Sequence, residues 1–295
     1  MVNQQPEVLA VEPALLGEGP VWLPDSKQLV WVDIEGMRIH LFTPGTGEKQ
    51  AIEVKERISA IVPAEDGRLV CAMQSGLYFL KIQDEHLEQI AAPESDKPEN
   101  RFNDGKCDPA GRFWAGTMPL VGSEPVGALY RLNQDGSVHR MLSEVRCSNG
   151  LAWSPDAKAM YYIDTYTRRI DRFDYDVMSG SIGNRRTLAH IPPEQGLPDG
   201  MAIDAEGMLW VAFWGGSCVA RFHPDTGEWL QRIELPVSQV TSCCFGGDGQ
   251  EELYITSARS GLSEEQLQKE PLAGSVFRYV PGVRGLPANV YKLKP

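Results

Sequence analysis

The sequence has few of the residues from which several common kinds of site are built. Its six cysteines form no C-x-x-C pair, and its five histidines are scattered without a shared spacing. This pattern argues against a zinc site of the usual histidine type and against a Ser-His-Asp triad. The chain also lacks a glycine-rich phosphate loop of the Walker type and the WD dipeptide of WD40 repeats.

Basic residues and long apolar runs are scarce as well. The chain has 28 Lys and Arg against 40 Asp and Glu, for a net charge of −12. Nucleic acid prefers a basic face, so this balance argues against nucleic-acid binding and favours attraction of cations. No segment approaches the length of a membrane span, and residues 1–16 lack the basic start of a signal peptide. We therefore predict a cytoplasmic protein without membrane contact, whose cysteines are buried free thiols.

No linker divides the chain. Hydrophobic residues make up 42% of the sequence, and no Pro/Ser-rich or low-complexity tract interrupts it. A β-rich architecture of this length commonly forms one domain. We predict a single domain over residues 1–295 that is a monomer or a small homo-oligomer, two states between which the sequence does not discriminate.

What the chain does have is a repeat. A turn rich in Gly, Asp and Pro is followed each time by a short strand-like segment of β-branched and aromatic residues. These segments open at Leu29, Leu69, Phe113, Met160, Leu209 and Leu253. They are about 40–50 residues apart, which is the period of a four-stranded propeller blade. The repeat therefore predicts an all-β fold, a six-bladed β-propeller around a central channel.

Four polar side chains occupy similar positions in this repeat, each beside or near a glycine. Glu18 and Asn149 lie 11 residues before the next anchor, and Asn103 and Asp199 lie 10 before it. The first strand of each blade lines the channel, so these side chains should converge at one mouth. Any single Asn-Gly or Asp-Gly could be an ordinary turn, but four in one phase favour a site. Oxygen ligands without Cys or His indicate a hard metal ion.

Several motifs together resemble the gluconolactonase/regucalcin (senescence marker protein) family. The resemblance runs from about Glu7 to about Gly285. Its motifs are Leu16–Trp22, Arg101–Lys106, Gly116–Met118, Ser148–Leu151, Pro198–Met201 and Thr241–Gly247. It implies a six-bladed propeller with one divalent ion in the channel, held by Glu18, Asn149 and Asp199. It also implies a substrate pocket that uses Arg101 and Asn103, and hydrolysis of small sugar lactones such as gluconolactone.

The chain departs from the family pattern at one position. Similar proteins carry a substrate-contacting Glu shortly after the Gly-Thr-Met motif, where this chain has Val121 in a shorter loop. Glu124 follows in the same loop and is either a pocket residue or a surface residue. This departure leaves the identity of the substrate open.

Lactone hydrolysis places negative charge on the ester carbonyl, which a cation stabilises. Two carboxylates and one amide suit Ca²⁺, Mg²⁺ or Mn²⁺ and tolerate Zn²⁺. Asp199 is the candidate general base, with a role as metal ligand alone as the alternative. Adjacent strand residues face opposite ways, so Asp104 should point into its blade if Asn103 faces the channel.

Two other functions remain open at this stage. One is an esterase or phosphotriesterase-like hydrolase on the same scaffold, and the other is a non-catalytic calcium-binding protein similar to regucalcin. Both chain ends are strand-like, near residues 7–11 and 290–293. We predict that they pair within one blade, because such closure removes a free sheet edge.

Overall fold

The repeats of the sequence become six four-stranded antiparallel sheets in the computed structural model, which describes residues 5–10 and 13–294. The sheets form a ring, and the first strand of each sheet lies against the first strands of its neighbours. This arrangement confirms the predicted six-bladed β-propeller.

The strands follow the repeat closely. The N-terminal strand is β1 (Glu7–Ala10). Blade 1 contains β2 (Gly17–Leu23), β3 (Gln28–Asp33), β4 (Arg38–Thr43) and β5 (Glu48–Glu53). Blade 2 contains β6 (Ile58–Pro63), β7 (Leu69–Met73), β8 (Gly76–Lys81) and β9 (His86–Ala91). Blade 3 contains β10 (Asn100–Cys107), β11 (Phe113–Pro119), β12 (Gly127–Leu132) and β13 (Val138–Val145).

The remaining blades have the same plan. Blade 4 contains β14 (Ser148–Trp153), β15 (Ala159–Asp164), β16 (Arg169–Asp176) and β17 (Ser181–His190). Blade 5 contains β18 (Leu197–Ile203), β19 (Leu209–Trp214), β20 (Cys218–Phe222) and β21 (Trp229–Glu234). Blade 6 contains β22 (Val240–Gly246), β23 (Glu252–Ser257), β24 (Val276–Tyr279) and the N-terminal β1.

Helical structure is confined to short connections in the described part of the chain. Three 3₁₀ turns cover Ile82–Asp84, Thr165–Thr167 and Pro193–Gln195. The helix α1 (Glu264–Lys269) begins with a capping box between Ser263 and Gln266. Within residues 5–10 and 13–294, no helix is long and apolar enough to cross a membrane.

Blade 6 is closed by the N-terminal strand, as predicted, but its partner differs from the prediction. Glu7 of β1 pairs with Arg278 of β24, and their side chains form an ion pair at 2.8 Å. The segment near the C-terminus instead bridges to blade 2, where Tyr291 pairs with Ala64. The buried Tyr291 ring packs in the core there, which explains why this segment does not reach blade 6. Val11 lies outside the described residues.

The hydrophobic core lies between adjacent blades. One cluster joins Val70 of blade 2 to Phe113 of blade 3, and another joins Ile163 of blade 4 to Val211 of blade 5. Such side chains are fully buried, and truncating one to alanine typically costs about 2–5 kcal/mol. This packing fixes the positions of the inner strands around the channel.

Each of the six inner strands has an irregularity near its start, where the pairing with the second strand shifts by a residue or more. The shifts lie between Glu18 and Val21, Ile58 and Ala60, Phe102 and Gly105, Asn149 and Leu151, Pro198 and Met201, and Val240 and Ser242. Bulges of this kind re-aim side chains and are common beside active sites. In β2 the bulge contains Gly19 at a φ of +53°, a conformation that favours glycine.

Candidate active site

A cavity of about 140 Å³ opens at the end of the channel where the inner strands begin, which we call the site end. Glu18, Asn103, Asn149 and Asp199 all line it, together with Arg101. The structure therefore brings the predicted site residues of blades 1, 3, 4 and 5 together. Their roles remain predictions.

Hydrogen bonds between neighbouring blades surround this cavity. In each, a side chain of one blade donates to the carbonyl just before a site residue of the next blade. Ser59 Oγ donates to Phe102 O at 2.6 Å, Asn103 Nδ2 to Ser148 O at 2.8 Å, Thr165 Oγ1 to Pro198 O at 3.0 Å and Thr241 Oγ1 to Gly17 O at 2.6 Å. These interblade hydrogen bonds hold the backbone beside Asn103, Asn149, Asp199 and Glu18.

The three candidate metal ligands present oxygens that the rest of the described protein does not use. Asn149 Oδ1 and Asp199 Oδ1 are buried without a hydrogen-bond partner among the described residues. Asn149 Nδ2 donates to Thr165 Oγ1 at 3.0 Å, which turns its oxygen away from that bond. Glu18 uses one carboxylate oxygen to accept from the Gly19 amide at 2.7 Å. Buried polar atoms without partners are rare and require an explanation.

The raised pKa values of Glu18 and Asp199 are also consistent with an ion-binding site. Burial, followed by the charge of Asp104, raises the pKa of Glu18 to about 8. Burial, followed by the charge of Glu18, raises the pKa of Asp199 well above its usual value. Like charges confined in a dry cavity disfavour ionisation of both groups. A bound cation would remove this repulsion, so the arrangement fits an ion-binding site.

Arg101 and Asn103 form a hydrogen-bonded pair that lines the same cavity as the candidate ligands. Arg101 Nη1 donates to Asn103 Oδ1 at 2.7 Å and to Phe102 O at 2.9 Å. Because Asn103 also donates to Ser148 O, both ends of its amide are occupied. Asn103 thus orients the guanidinium, while Arg101 retains N–H groups that can reach a bound molecule.

Residues that the sequence interpretation did not assign to the site also line the cavity. They are Leu16, Met118, Cys147, Thr165, Tyr166, Leu197 and Trp214. Cys147 and Leu197 lie two residues before Asn149 and Asp199, so their repeat phase could have identified them. Trp214, which precedes Gly215 and Gly216, is half-buried on the cavity wall. Thr165 and Tyr166 have no such signal, because they belong to a connection between strands.

Asp104 differs from its prediction. It does not point into the blade but faces the channel, where its charge acts on Glu18 and where it lines a second cavity of about 190 Å³ that extends towards the opposite end, the far end. The register shift between Phe102 and Gly105 breaks the alternation on which that prediction depended. Asp104 Oδ2 is buried and has no partner among the described residues. Burial raises the pKa of Asp104, and the charge of nearby Lys106 opposes this rise. Lys106 Nζ itself donates to Met201 O at 2.5 Å.

The loop that replaces the family's Glu position stands away from the cavity. Val121 is 89% exposed, and Glu124 is also exposed. Neither residue lines the cavity. The wall near this loop is formed instead by Met118, whose Sδ lies 3.6 Å from Cys147 Sγ.

The donor set at the site end consists of oxygen atoms. Among residues 5–10 and 13–294, no group of three or more His, Cys, Asp and Glu side chains is arranged to hold a metal. The candidate set has two carboxylates and one amide instead, with unused oxygens on Asn149 and Asp199. All-oxygen donors of this kind fit a hard divalent cation.

Comparisons with known proteins identify the family to which this fold belongs. Regucalcin from Gallus gallus is 43% identical over 92% of this chain and 93% of its own length. The structure of a calcium-binding protein, regucalcin, from Agrobacterium tumefaciens is 31% identical, with a TM-score of 0.94 over 98% of both chains. A luciferin-regenerating enzyme is 35% identical, with a TM-score of 0.91 over 98% of this chain and 100% of that one. The model of the SMP-30/gluconolactonase/LRE-like region matches residues 16–259, and the chain belongs to this family.

Proposed function

We propose that this protein is a metal-dependent lactonase that hydrolyses the ester bond of a small lactone. The family description includes gluconolactonase, which suggests sugar lactones as the substrate class. The observation that carries the proposal is the set of unused oxygens on Asn149 and Asp199 beside Glu18 in one cavity.

Glu18, Asn149 and Asp199 would hold one divalent ion per chain. Ca²⁺, Mg²⁺, Mn²⁺ and Zn²⁺ are all compatible with these donors, and the calcium-binding relative supports Ca²⁺. When bound, the ion would polarise the lactone carbonyl and stabilise the negative charge that develops on its oxygen.

Asp199 would act on the attacking water. Its carboxylate accepts a proton as the water oxygen bonds to the carbonyl carbon. The bond between that carbon and the ring oxygen then breaks, and the ring oxygen takes up the proton to give a hydroxy acid. A role for Asp199 as ligand alone is the competing mechanism.

Arg101 would bind the substrate rather than the ion. Its guanidinium is buried at the cavity, and Asn103 fixes its orientation through a 2.7 Å hydrogen bond. A positioned donor of this kind can stabilise charge on the carbonyl oxygen, and its loss typically costs about 10²–10³-fold in rate. Arg101→Ala should therefore lower kcat/KM while divalent-ion affinity stays within about threefold of the parent.

The test combines calorimetry with a pH-indicator hydrolysis assay. The parent should bind about one divalent ion per chain and hydrolyse at least one lactone of a panel only when the ion is present. Glu18→Gln, Asn149→Ala and Asp199→Ala should each weaken ion binding. Parental ion binding in all three variants would place the ion elsewhere.

A second function is favoured by one specific observation. The relative from Agrobacterium tumefaciens is described as calcium-binding, not as an enzyme. A calcium-binding protein without turnover would bind one Ca²⁺ through the same residues and hydrolyse none of the lactones. An esterase or phosphotriesterase-like hydrolase would use the same cavity, with aryl ester or phosphotriester turnover in place of lactone turnover.

A further inference from the structure

Asn149 differs chemically from the other two candidate ligands. The carboxylates of Glu18 and Asp199 each have two equivalent oxygens, so either oxygen can face a cation. The Asn149 amide has one oxygen and one NH₂ group, and a half-turn of its terminal torsion would present the NH₂ group to the cation instead. An amide ligand therefore needs a neighbour that fixes its orientation, whereas a carboxylate does not.

Thr165 fixes this orientation through the polarity of a hydrogen-bond chain. A hydroxyl has one proton, and the carbonyl oxygen of Pro198 can only accept. Thr165 Oγ1 lies 3.0 Å from Pro198 O and donates its proton there. Towards Asn149 the same hydroxyl can then only accept, so the group that faces it at 3.0 Å is Nδ2. The Asn149 oxygen is left buried and without a partner among the described residues, where a cation can use it.

The same chain of hydrogen bonds joins two blades. Thr165 belongs to blade 4, and Pro198 O is the carbonyl directly before Asp199 in blade 5. One hydroxyl thus contacts the side chain of one candidate ligand and the backbone beside another. Both bonds are shielded from solvent, since Thr165 is 5% exposed and Asn149 is 3% exposed. Buried hydrogen bonds of this kind are costly to lose, because no water replaces the missing partner.

The 3₁₀ turn that follows β15 carries Thr165 and is itself held in place. The Thr165 amide donates to Cys147 O at 3.0 Å, and the carboxylate of Asp164 accepts from the Cys147 amide at 2.9 Å. The Thr167 hydroxyl donates to Asp164 O at 2.7 Å. These bonds fix the position of the Thr165 hydroxyl relative to the start of β14.

The repeat provides a comparison within the same chain. In blades 1, 4 and 5, the residue just before the candidate ligand pairs with a residue of the second strand. The residue that follows this partner occupies an equivalent position in the three blades, where it is Ile34, Thr165 and Trp214 respectively. Blades 1 and 5, whose candidate ligands are carboxylates, have no hydroxyl at this position. Blade 4, whose candidate ligand is the Asn149 amide, has one.

We propose that Thr165 is a positioning residue for the ion, which selects the orientation of the Asn149 amide and couples it to the backbone beside Asp199. This inference rests on the ion site of the proposed function. Without the hydroxyl, the amide loses the bond that distinguishes its two orientations, and the orientation that presents NH₂ to the cation becomes accessible. Ion affinity falls as a result.

The experiment measures ion affinity by calorimetry for the full-length protein, with Ca²⁺ and Mn²⁺ as probes. Thr165→Val keeps the shape of the side chain but removes the hydroxyl. We expect it to lower ion affinity about 10–100-fold, the usual effect of losing a group that orients a metal ligand. Thr165→Ser keeps the hydroxyl and should remain within about threefold of the parent.

Thr167→Val is the matched control. It removes the other hydroxyl of the turn, whose hydrogen bond is to Asp164 O rather than to a candidate ligand. Its ion affinity should remain within about threefold of the parent. Thermal melts in chelator report the loss of stability separately. Thr165→Val should melt lower than the parent, because Pro198 O and the Asn149 NH₂ group lose their partner. Thr165→Ala carries the same test if Thr165→Val does not fold.

A second measurement isolates the orientation of the amide. In an Asn149→Asp background the ligand has two equivalent oxygens, so Thr165→Val should cost less ion affinity there than in the parent. An equal loss in both backgrounds would overturn the inference. A Thr165→Val protein that melts lower but binds the ion like the parent would also overturn it, because the hydroxyl would then act on stability alone.

The outcomes separate this inference from the proposed function. If the parent binds no divalent ion, the proposed ion site is wrong and this inference falls with it. If the parent binds about one ion per chain and Thr165→Val binds it equally well, only this inference is overturned. Lactone turnover does not enter the comparison, so a calcium-binding protein without turnover would pass or fail the same test.

Discussion

Blade 5 carries two buried aspartates within one short stretch, and their surroundings are opposite in kind. Asp204, at the far end, accepts hydrogen bonds from Glu206 N, Met208 N, Trp210 Nε1 and Arg221 Nε at 2.8–3.0 Å. Asp199, at the site end, has an oxygen without any partner among the described residues and a strongly raised pKa.

Blade 3 repeats the contrast. Asp108 accepts from backbone amides of its turn, from Trp114 Nε1 at 3.0 Å and from the Tyr175 hydroxyl at 2.7 Å. Asp104, four residues earlier, has an unpartnered oxygen. Buried acids whose oxygens all accept hydrogen bonds stabilise a fold, whereas buried acids with unused oxygens are candidates for binding a ligand or a proton. The repeat therefore places one acid with satisfied oxygens and one acid with an unused oxygen within each of these blades.

The largest expected effect comes from replacing the candidate general base by its amide. Asp199→Asn should lower kcat/KM by about 10²–10⁴-fold, the usual contribution of a general base. Its melting temperature in chelator should stay at or above the parental value, because the amide cannot ionise next to Glu18. Activity assays and thermal melts measure both. Turnover at the parental rate with saturating ion would mean that Asp199 is a ligand only.

The matched change at the structural acid should do the reverse. Asp204→Asn turns an acceptor of four hydrogen bonds into a group that points two donors at other donors. We expect a loss of about 3–5 kcal/mol of stability and, at 25 °C, divalent-ion affinity within threefold of the parent. Thermal melts and calorimetry check this, with Asp25→Asn in an exposed turn as the control. A melting temperature equal to that of the control would end the structural interpretation of Asp204.

An intermediate effect concerns pH in the absence of metal. Folded Glu18 keeps its proton up to about pH 8, while the unfolded chain loses it near 4.5. At Glu18 the folded state therefore binds more protons between these values, so the contribution of Glu18 to stability is fully present below about pH 4.5 and is lost as pH rises towards 8. In chelator, the parent should melt lower at pH 8 than at pH 6 by more than the Glu18→Gln variant does. Equal slopes for the two proteins would show that Glu18 does not titrate in this window.

The smallest effect is expected when an acid is added at a solvent-exposed position of the loop that carries Val121. Val121→Glu introduces a carboxylate at an 89% exposed position. The free energy of unfolding should therefore change by less than about 0.5 kcal/mol. Screening by solvent should keep its effect on ion affinity below about threefold. A larger gain in affinity would indicate that this loop folds over the cavity.

The fold could be predicted because its signal is repeated. Leu69, Phe113 and Leu209 each open the second strand of a blade, and the other three anchors fall within one residue of such a start. The convergence of Glu18, Asn149 and Asp199 followed from the same register. Ser59 and Thr241 occupy that register as well, 10 and 12 residues before their anchors, but hydroxyl residues in strands carry no signal of function on their own.

Other features could not be predicted because they depend on contacts between residues that are far apart in the sequence. The direction of Asp104 is set by a bulge, which a strict two-residue alternation does not anticipate. Tyr166 reaches the cavity from a 3₁₀ turn, so its role depends on how blade 4 faces blade 5. The partner of the N-terminal strand was also mispredicted, because 276–279 and 290–293 are both strand-like and only packing of Tyr291 distinguishes them.

Closure of blade 6 by β1 has a consequence for the order of events during synthesis. Asn149 and Asp199 come from neighbouring blades, but Glu18 is separated from Asp199 by blade 6, which needs both β1 and β24. In a growing chain all three candidate ligands are made before blade 6, and the hydrogen bond from Thr241 to the carbonyl before Glu18 is the last of the interblade bonds to form. Divalent-ion affinity should appear only once Tyr279 has left the ribosome, which makes ion binding a late marker of the completed ring.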